Sequence, residues 1–72
     1  MKNLKVYEQC EVEGRKFAIL VNEEEKRAYE AVWNEDQGDW ETDFSYSSIG
    51  IDSFNVAGFL DFDKCISEGY TF

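Results

Sequence analysis

The side chains of this chain that could do acid–base or nucleophilic chemistry are carboxylates and two cysteines, because the sequence contains no histidine. Histidine is the side chain whose ordinary pKa lies near neutrality. A thiol nucleophile needs a neighbouring base or cation to lower its pKa, and Cys10 and Cys65 both fall at positions that we expect to be apolar. Phosphate-binding glycine loops, the dinucleotide-binding motif and the serine-nucleophile motif are absent. We therefore predict that the protein is not an enzyme.

Metal and cofactor sites are not predicted either. A zinc site draws four ligands mostly from cysteine and histidine, and two cysteines without a histidine cannot supply them. Residues 34–45 are spaced somewhat like a calcium loop, but Gly38 comes one place early and position twelve is Ser45 instead of glutamate. We expect no metal and no cofactor.

The distinctive chemical feature is a dense run of acid in the middle of the chain. The stretch NEDQGDWETDF, residues 34–44, holds five carboxylates. Residues 23–43 contain nine acids against two bases, a net charge of −7, whereas residues 1–22 carry +1 and residues 44–72 carry −3. Charge concentrated in this way repels nucleic acid and anionic membranes and attracts basic surfaces. We expect no direct contact with nucleic acid or membrane.

The elements that must position these acids are predicted from periodicity. Seventy-two residues with 17% aromatic content are expected to fold as a single small acidic domain over 1–72. Alternating apolar residues predict strands and 3.6-residue spacing predicts a helix. The predicted class is α+β, a four-stranded antiparallel β-meander with one C-terminal helix packed on one face. The predicted strands cover residues 4–12, 15–21, 26–33 and 40–46, and the helix covers residues 53–67.

The predicted strands differ in how they distribute apolar residues. The first has one mostly apolar face, made by Leu4, Val6, Cys10 and Val12, and it ends at a two-residue turn, Glu13-Gly14, with glycine available for positive φ. The second is apolar on both faces, which indicates the centre of the sheet. In the third, Ala and Glu would also suit a helix, but the flanking turns and the closing Val32-Trp33 favour a strand. The fourth is aromatic on one face and acidic on the other.

The predicted helix has recognisable ends. Asp52 or Ser53 is expected to cap its N-terminus, and Gly69 suits the left-handed residue that follows a helix. Its apolar stripe is predicted to consist of Val56, Phe59, Leu60, Phe62 and Ile66. Residues 70–72 are expected to form a short return strand or to place a ring against the sheet.

The N-terminal stretch MKNLKVYEQ has charges but no apolar segment of the kind found in signal peptides. No stretch approaches the roughly 20 apolar residues that cross a bilayer. We therefore expect a cytoplasmic protein, in the host cytoplasm if it is phage-encoded, with reduced cysteines. A disulfide between Cys10 and Cys65 is the alternative.

The acids predict a binding surface. Glu41 and Asp43 lie two apart on a predicted strand, so they project from one side about 6.6–6.8 Å apart, and Glu30 on the adjacent strand is expected to share that side. Like charges placed opposite each other destabilise a sheet by up to about 1 kcal/mol a pair, and ordinary surfaces intersperse lysines. A patch of one sign therefore indicates steering toward an oppositely charged partner. The predicted partner-binding residues are Glu23, Glu24, Glu25, Glu30, Glu35, Asp36, Asp39, Trp40, Glu41 and Asp43.

Two functional hypotheses follow. The favoured one is a non-enzymatic acidic binding protein that docks, as a nucleic-acid mimic, on a basic nucleic-acid-handling protein such as a nuclease or a CRISPR or restriction effector, and inhibits it. Small size, acidity and lack of catalytic groups are general traits of phage anti-defence proteins of the anti-CRISPR and anti-restriction types and of nuclease immunity proteins. That likeness is one of composition, and no motif identifies a family. The alternative is a structural or adaptor domain that acts through homodimer or hetero-oligomer contacts at a sheet edge, its acids serving only solubility.

Overall fold

A computed structural model describes residues 3–72, so the first two residues of the predicted domain lie outside the described part. Four strands precede three short helices. The strands are β1 (Lys5–Val12), β2 (Arg15–Asn22), β3 (Arg27–Asn34) and β4 (Asp39–Glu41), and the helices are α1 (Tyr46–Ile49), α2 (Ser53–Ala57) and α3 (Phe62–Ser67). The strands form one antiparallel sheet in the order β1-β2-β3-β4. The predicted α+β class and its antiparallel meander are confirmed.

Short-range chemistry fixes the three turns of the meander. Glu13 and Gly14 have φ of 51° and 80°, the positive pair that a two-residue hairpin turn requires. Asn22 ends β2, and its Oδ1 accepts from the backbone N–H of Glu24 at 3.0 Å and from that of the next residue at 3.1 Å. Asn34 ends β3 in the same way, accepting from the N–H of Gln37 at 3.2 Å. These side-chain bonds fix the two acidic turns in place.

The main core lies between the sheet and the helices. Phe17, Ile19 and Val21 of β2 point to this covered face, whereas Ala18 and Leu20 point to the opposite face, so β2 is buried on both sides as predicted. The buried residues of the main core are Val12, Phe17, Ile19, Val21, Ala28, Val32, Ile51, Val56, Leu60, Cys65 and Tyr70. No helix within residues 3–72 packs on the second cluster, and we call that side of the sheet the open face.

The predicted single apolar face of the first strand is wrong. The pairing of β1 with β2 shifts register between Val6 and Glu8, so Tyr7 is an extra residue in the ladder. Such a bulge changes the side of the sheet to which the following residues point. Cys10 therefore packs against the main core, whereas Leu4 packs against the cluster on the open face.

The fourth strand is shorter than predicted. Pairing ends at Glu41, although alternation continues through residues 40–46. Beyond that point the chain crosses the covered face, where the rings of Phe44 and Tyr46 lie 6.4 and 5.7 Å from that of Phe17. Packing of these two half-buried rings on the core draws the chain away from the sheet before residue 46.

The predicted continuous helix over 53–67 is interrupted. α2 ends at Ala57, and α3 begins only after Asp61, whose side chain caps it by accepting from the N–H of Lys64 at 2.9 Å. The interruption buries Leu60 but leaves Phe59 64% exposed, so the predicted stripe does not form one surface.

The predicted helix ends are nevertheless found. Asp52 caps α2 by accepting from the N–H of Phe54 at 2.9 Å. Gly69 follows α3 with φ of 101°, a conformation that favours glycine.

The C-terminal residues return to the sheet. The N–H of Thr71 donates to the carbonyl of Lys26 at 2.9 Å, and the N–H of Ala28 donates to the carbonyl of Thr71 at 2.9 Å. Tyr70 is buried in the main core beside the ring of Tyr7, with centroids 6.0 Å apart. Of the two alternatives expected for this segment, a ring against the sheet is present, whereas the return strand is reduced to an isolated bridge between Thr71 and Arg27.

Candidate functional site

The fold divides the predicted acidic residues between two ends of the sheet. In an antiparallel meander alternate turns lie at opposite ends, so the β2–β3 turn with Glu23, Glu24 and Glu25 is separated from the β3–β4 turn by the length of β3. The eight residues of β3 span seven residue-to-residue steps of ~3.3 Å, so the two turns lie about 23 Å apart. The acids of the two turns therefore form two groups instead of one continuous row.

The larger group occupies the β3–β4 hairpin. We define the acidic hairpin as Glu35, Asp36, Asp39 and Glu41, all of which are exposed. Within residues 3–72 no cation forms an ion pair with Glu35, Asp36 or Glu41. Asp43 follows in an exposed bend. Glu35, Asp36, Glu41 and Asp43 therefore present carboxylates to solvent at this end of the sheet.

The opposite corner is partly neutralised. Lys5 Nζ lies 2.8 Å from a carboxylate oxygen of Glu23. The hydrogen bond and charge of each group act on the other, raising the pKa of Lys5 and lowering the pKa of Glu23. This corner is the weaker candidate for capturing an external cation.

Glu30 is separate from both turns, because it lies in the middle of β3, where its side chain is on the covered face. The Tyr46 hydroxyl donates to its Oε2 at 2.7 Å, and the carboxylate is half-buried. Burial, followed by the bond and charge of Glu30, raises the pKa of Tyr46. Val32, two residues along β3, pairs with Glu41, so Glu30 and Glu41 do share a face as predicted.

The two tryptophans lie at the base of the acidic hairpin. Trp33 and Trp40 are opposite each other in the β3–β4 pair, with centroids 5.1 Å apart and rings at 78°. Trp40 also packs on the small cluster of the open face, made of Ala18, Leu20 and Ala31. Both rings are half-buried, so each leaves part of its surface for a partner.

Two basic residues of β2, Arg15 and Lys16, limit the negative surface on the side of the acidic hairpin that faces β2. A cleft of about 460 Å³ lies between the two turns at this end of the sheet, and Arg15, Lys16, Glu35 and Asp36 are among its lining residues. The acidic hairpin is therefore strongest on the side that faces away from β2.

The cysteines are free thiols within the fold, and Cys65 is buried in the main core. Burial is the main reason that the pKa of each thiol, Cys10 and Cys65, is raised. A raised pKa disfavours the thiolate that nucleophilic catalysis requires. Residues 3–72 contain no group of three or more Cys, Asp or Glu placed to hold a metal ion, and none of their helices has the length and apolar character to cross a bilayer.

Sequence reasoning missed a second cleft, at the outer edge of β3. The sequence feature that points to this cleft is the pair of aromatic residues after β4, Phe44 and Tyr46, which the alternating pattern had placed in the fourth strand. The cleft is lined by Ala28, Tyr29, Glu30, Thr42, Phe44, Tyr46 and Phe72.

Comparison with protein-family models, with curated proteins and with solved structures gave no match to this chain. Its function is therefore argued from its own geometry and charge.

Proposed function

We propose that this protein is a non-enzymatic binding protein whose acidic hairpin docks on the basic groove of a nucleic-acid-handling protein and inhibits it. The observation that supports the proposal is the gathering of Glu35, Asp36, Asp39 and Glu41 on one exposed hairpin. Candidate partners are nucleases and CRISPR or restriction effectors, as for a phage-encoded anti-defence protein. Such partners work in the cytoplasm, and we propose that location for this chain.

The physical basis is charge complementarity. Glu35, Asp36 and Glu41 form a short row of exposed carboxylates along the acidic hairpin, and no cation of residues 3–72 forms an ion pair with any of them. Lysines and arginines that bind successive phosphates can bind such a row in their place. The net charge of −9 steers the encounter, which makes association fast and strongly salt-dependent. The half-buried Trp40 of the same hairpin points to the open face, where it can serve as an anchor of the type enriched in interfaces.

Inhibition of purified effectors by matched charge-reversal variants tests the proposal. The double variant Glu35→Lys with Asp36→Lys changes the acidic hairpin, and Glu24→Lys with Glu25→Lys makes the same change of charge at the opposite end. Cleavage of labelled DNA by a panel of nucleases and CRISPR and restriction effectors is measured at two salt concentrations. We expect wild type to inhibit at least one effector, more strongly at low salt. The hairpin variant should then lose tenfold or more in potency while the control keeps it.

Two results would count against docking through the hairpin: no effector in the panel is inhibited, or the two double variants lose potency equally. The second result would show that total charge acts, and not the hairpin.

The open face favours a second candidate, an adaptor domain that acts by self-association. Ala18, Leu20 and Ala31 are already buried on this face, but the half-buried rings of Trp33 and Trp40 leave apolar surface there that a second copy could cover. Because β4 has only three residues, β1 is the longer edge available for pairing, although its bulge interrupts the ladder. Sedimentation velocity from 1 µM to 1 mM separates the candidates, since a monomer throughout that range excludes the homodimer.

A further inference from the structure

We propose that the cleft at the outer edge of β3 binds an arginine side chain of a partner protein. The cleft has a volume of about 280 Å³ and lies between β3, the chain that follows β4, and the C-terminal residue Phe72. Its lining combines one carboxylate, that of Glu30, with the rings of Tyr29, Phe44, Tyr46 and Phe72. None of these side chains belongs to the acidic hairpin, so the inference goes beyond the proposed function.

The carboxylate of Glu30 supplies the charge. The Tyr46 hydroxyl occupies Oε2 as a neutral donor, and an ionised carboxylate has further acceptor positions, chiefly on Oε1. No cation within residues 3–72 forms an ion pair with Glu30. A half-buried carboxylate has lost part of its hydration, so a cation that donates hydrogen bonds to it is bound more strongly than at an exposed acid.

The rings supply the shape. The centroids of Phe44 and Tyr46 are 5.1 Å apart with an interplanar angle of 70°, so the two rings form adjacent walls. Phe72 is held by Phe62, with centroids 5.4 Å apart. Aromatic faces attract cations, and the planar guanidinium of arginine stacks on rings while it donates to a carboxylate. The compact ammonium of lysine cannot stack in this way, and an anion is repelled by Glu30.

The backbone beside the cleft fits an extended partner segment. The N–H of Ala28 points to the outer edge, where it bonds Thr71. Groups two residues apart on a strand point the same way, so the N–H and carbonyl of Glu30 face this edge too. Pairing with β4 begins only at Val32, so within residues 3–72 no strand pairs with Glu30 on this side. One residue of an extended segment can bond Glu30 there and direct its side chain into the cleft.

The test is an NMR titration of ¹⁵N-labelled protein with the peptide acetyl-Gly-Ser-Arg-Ser-Gly-amide. The matched peptide carries citrulline, the neutral isostere of arginine, and a third carries lysine. We expect saturable shifts of the amides of Glu30, Thr42, Phe44 and Phe72. The citrulline peptide should bind at least tenfold more weakly, and the lysine peptide several-fold more weakly.

Two variants locate the effect. Glu30→Gln should weaken the arginine peptide about tenfold, because a charge-assisted hydrogen bond is lost, and Phe72→Ala should weaken it several-fold. Glu24→Gln, which removes the same charge in the β2–β3 turn and outside the lining of the cleft, should change affinity less than twofold. Thermal unfolding of each variant verifies that it folds.

Equal binding of the arginine and citrulline peptides would overturn the proposal, and so would equal effects of Glu30→Gln and Glu24→Gln or equal affinity for the lysine peptide. No nucleic-acid-handling protein is present in this titration. A negative result therefore leaves the inhibition test of the acidic hairpin unaffected, and failure of that test leaves this one unaffected.

Discussion

Replacing Val56 by alanine tests how α2 closes the core over the sheet. Val56 is 0% exposed and belongs to the main core. The substitution removes two carbon atoms, whose lost burial costs about 1.6 kcal/mol at ~0.8 kcal/mol each. A residual cavity of about 50 Å³ adds roughly 1 kcal/mol, and the better helix propensity of alanine returns about 0.5 kcal/mol. We expect a net loss of about 2 kcal/mol, a large part of the roughly 3–5 kcal/mol that a core of this size supplies.

The loss is measured by urea unfolding, followed through tryptophan fluorescence, and by thermal unfolding. At about 4–8 °C per kcal/mol for a domain of this length, Tm should fall by roughly 8–16 °C. The urea slope should stay unchanged, because the variant alters the packing and not the surface exposed on unfolding.

Two phenylalanines provide the controls. Phe54 is on the same helix but 83% exposed, and Phe59 follows it at 64% exposed. Replacing either by alanine should change the free energy of unfolding by no more than about 0.5–1 kcal/mol. A continuous helix over residues 53–67 would bury Phe59 in its stripe, and its removal would then cost about 3–5 kcal/mol. A loss of about 3–5 kcal/mol in Phe59→Ala, or a loss below about 0.5 kcal/mol in Val56→Ala, would refute the interruption between α2 and α3.

Three further predictions concern single side chains. Tyr46→Phe should lower the free energy of unfolding in urea by about 1 kcal/mol, because it removes the hydrogen bond to Glu30. Since folding raises the pKa of Tyr46, wild-type stability should fall as pH rises above about 10, and it should fall less steeply in the variant. Equal pH dependence of stability in the two proteins would contradict this. Glu13→Asn should raise Tm, since asparagine adopts the positive φ of 51° more readily than glutamate by about 0.5 kcal/mol, and a lower Tm would contradict the turn geometry. With a thiol reagent at pH 8, the half-buried Cys10 should react faster than the buried Cys65, and both thiols should react more slowly in the folded protein than in urea. Equal rates for Cys10 and Cys65 in the folded protein would argue against the difference in their burial.

Local chemistry made much of the fold predictable from sequence. The apolar run of β2 placed that strand at the centre, and the Glu13-Gly14 turn, the Asp52 cap and the left-handed Gly69 were each identifiable from residue type. These features depend on a few neighbouring residues. Sequence patterns report such interactions directly.

Tertiary packing decided what the sequence could not show. Alternation assumes a constant register, so it could not detect the bulge at Tyr7. Alternation also extended the fourth strand through Phe44 and Tyr46, because nothing local reveals that these rings pack on Phe17. The helical stripe likewise included Phe59, which the break before Asp61 leaves exposed.

The candidate sites show the same limit. Acids at residues 23–25 and in the acidic hairpin are near in sequence, but the meander places them at opposite ends of β3. The arginine cleft requires Phe72, whose position depends on the distant pairing of Thr71 with β3. Contacts of this kind are set by topology, and residue spacing does not report them.

The pairing of Thr71 with β3 has a consequence for how the molecule assembles. Each hairpin joins strands that are adjacent in sequence, so its hydrogen bonds can form outward from its own turn. The C-terminal clasp, by which we mean the two backbone hydrogen bonds of Thr71 to Lys26 and Ala28, must bring together segments more than half the chain apart. Closing the larger loop carries the larger entropic cost, so the clasp should form last and reopen first. Amide hydrogen exchange at Ala28 and Thr71 should therefore outpace exchange at the centre of β2, and transient release of the C-terminus would expose the edge of β3 to solvent.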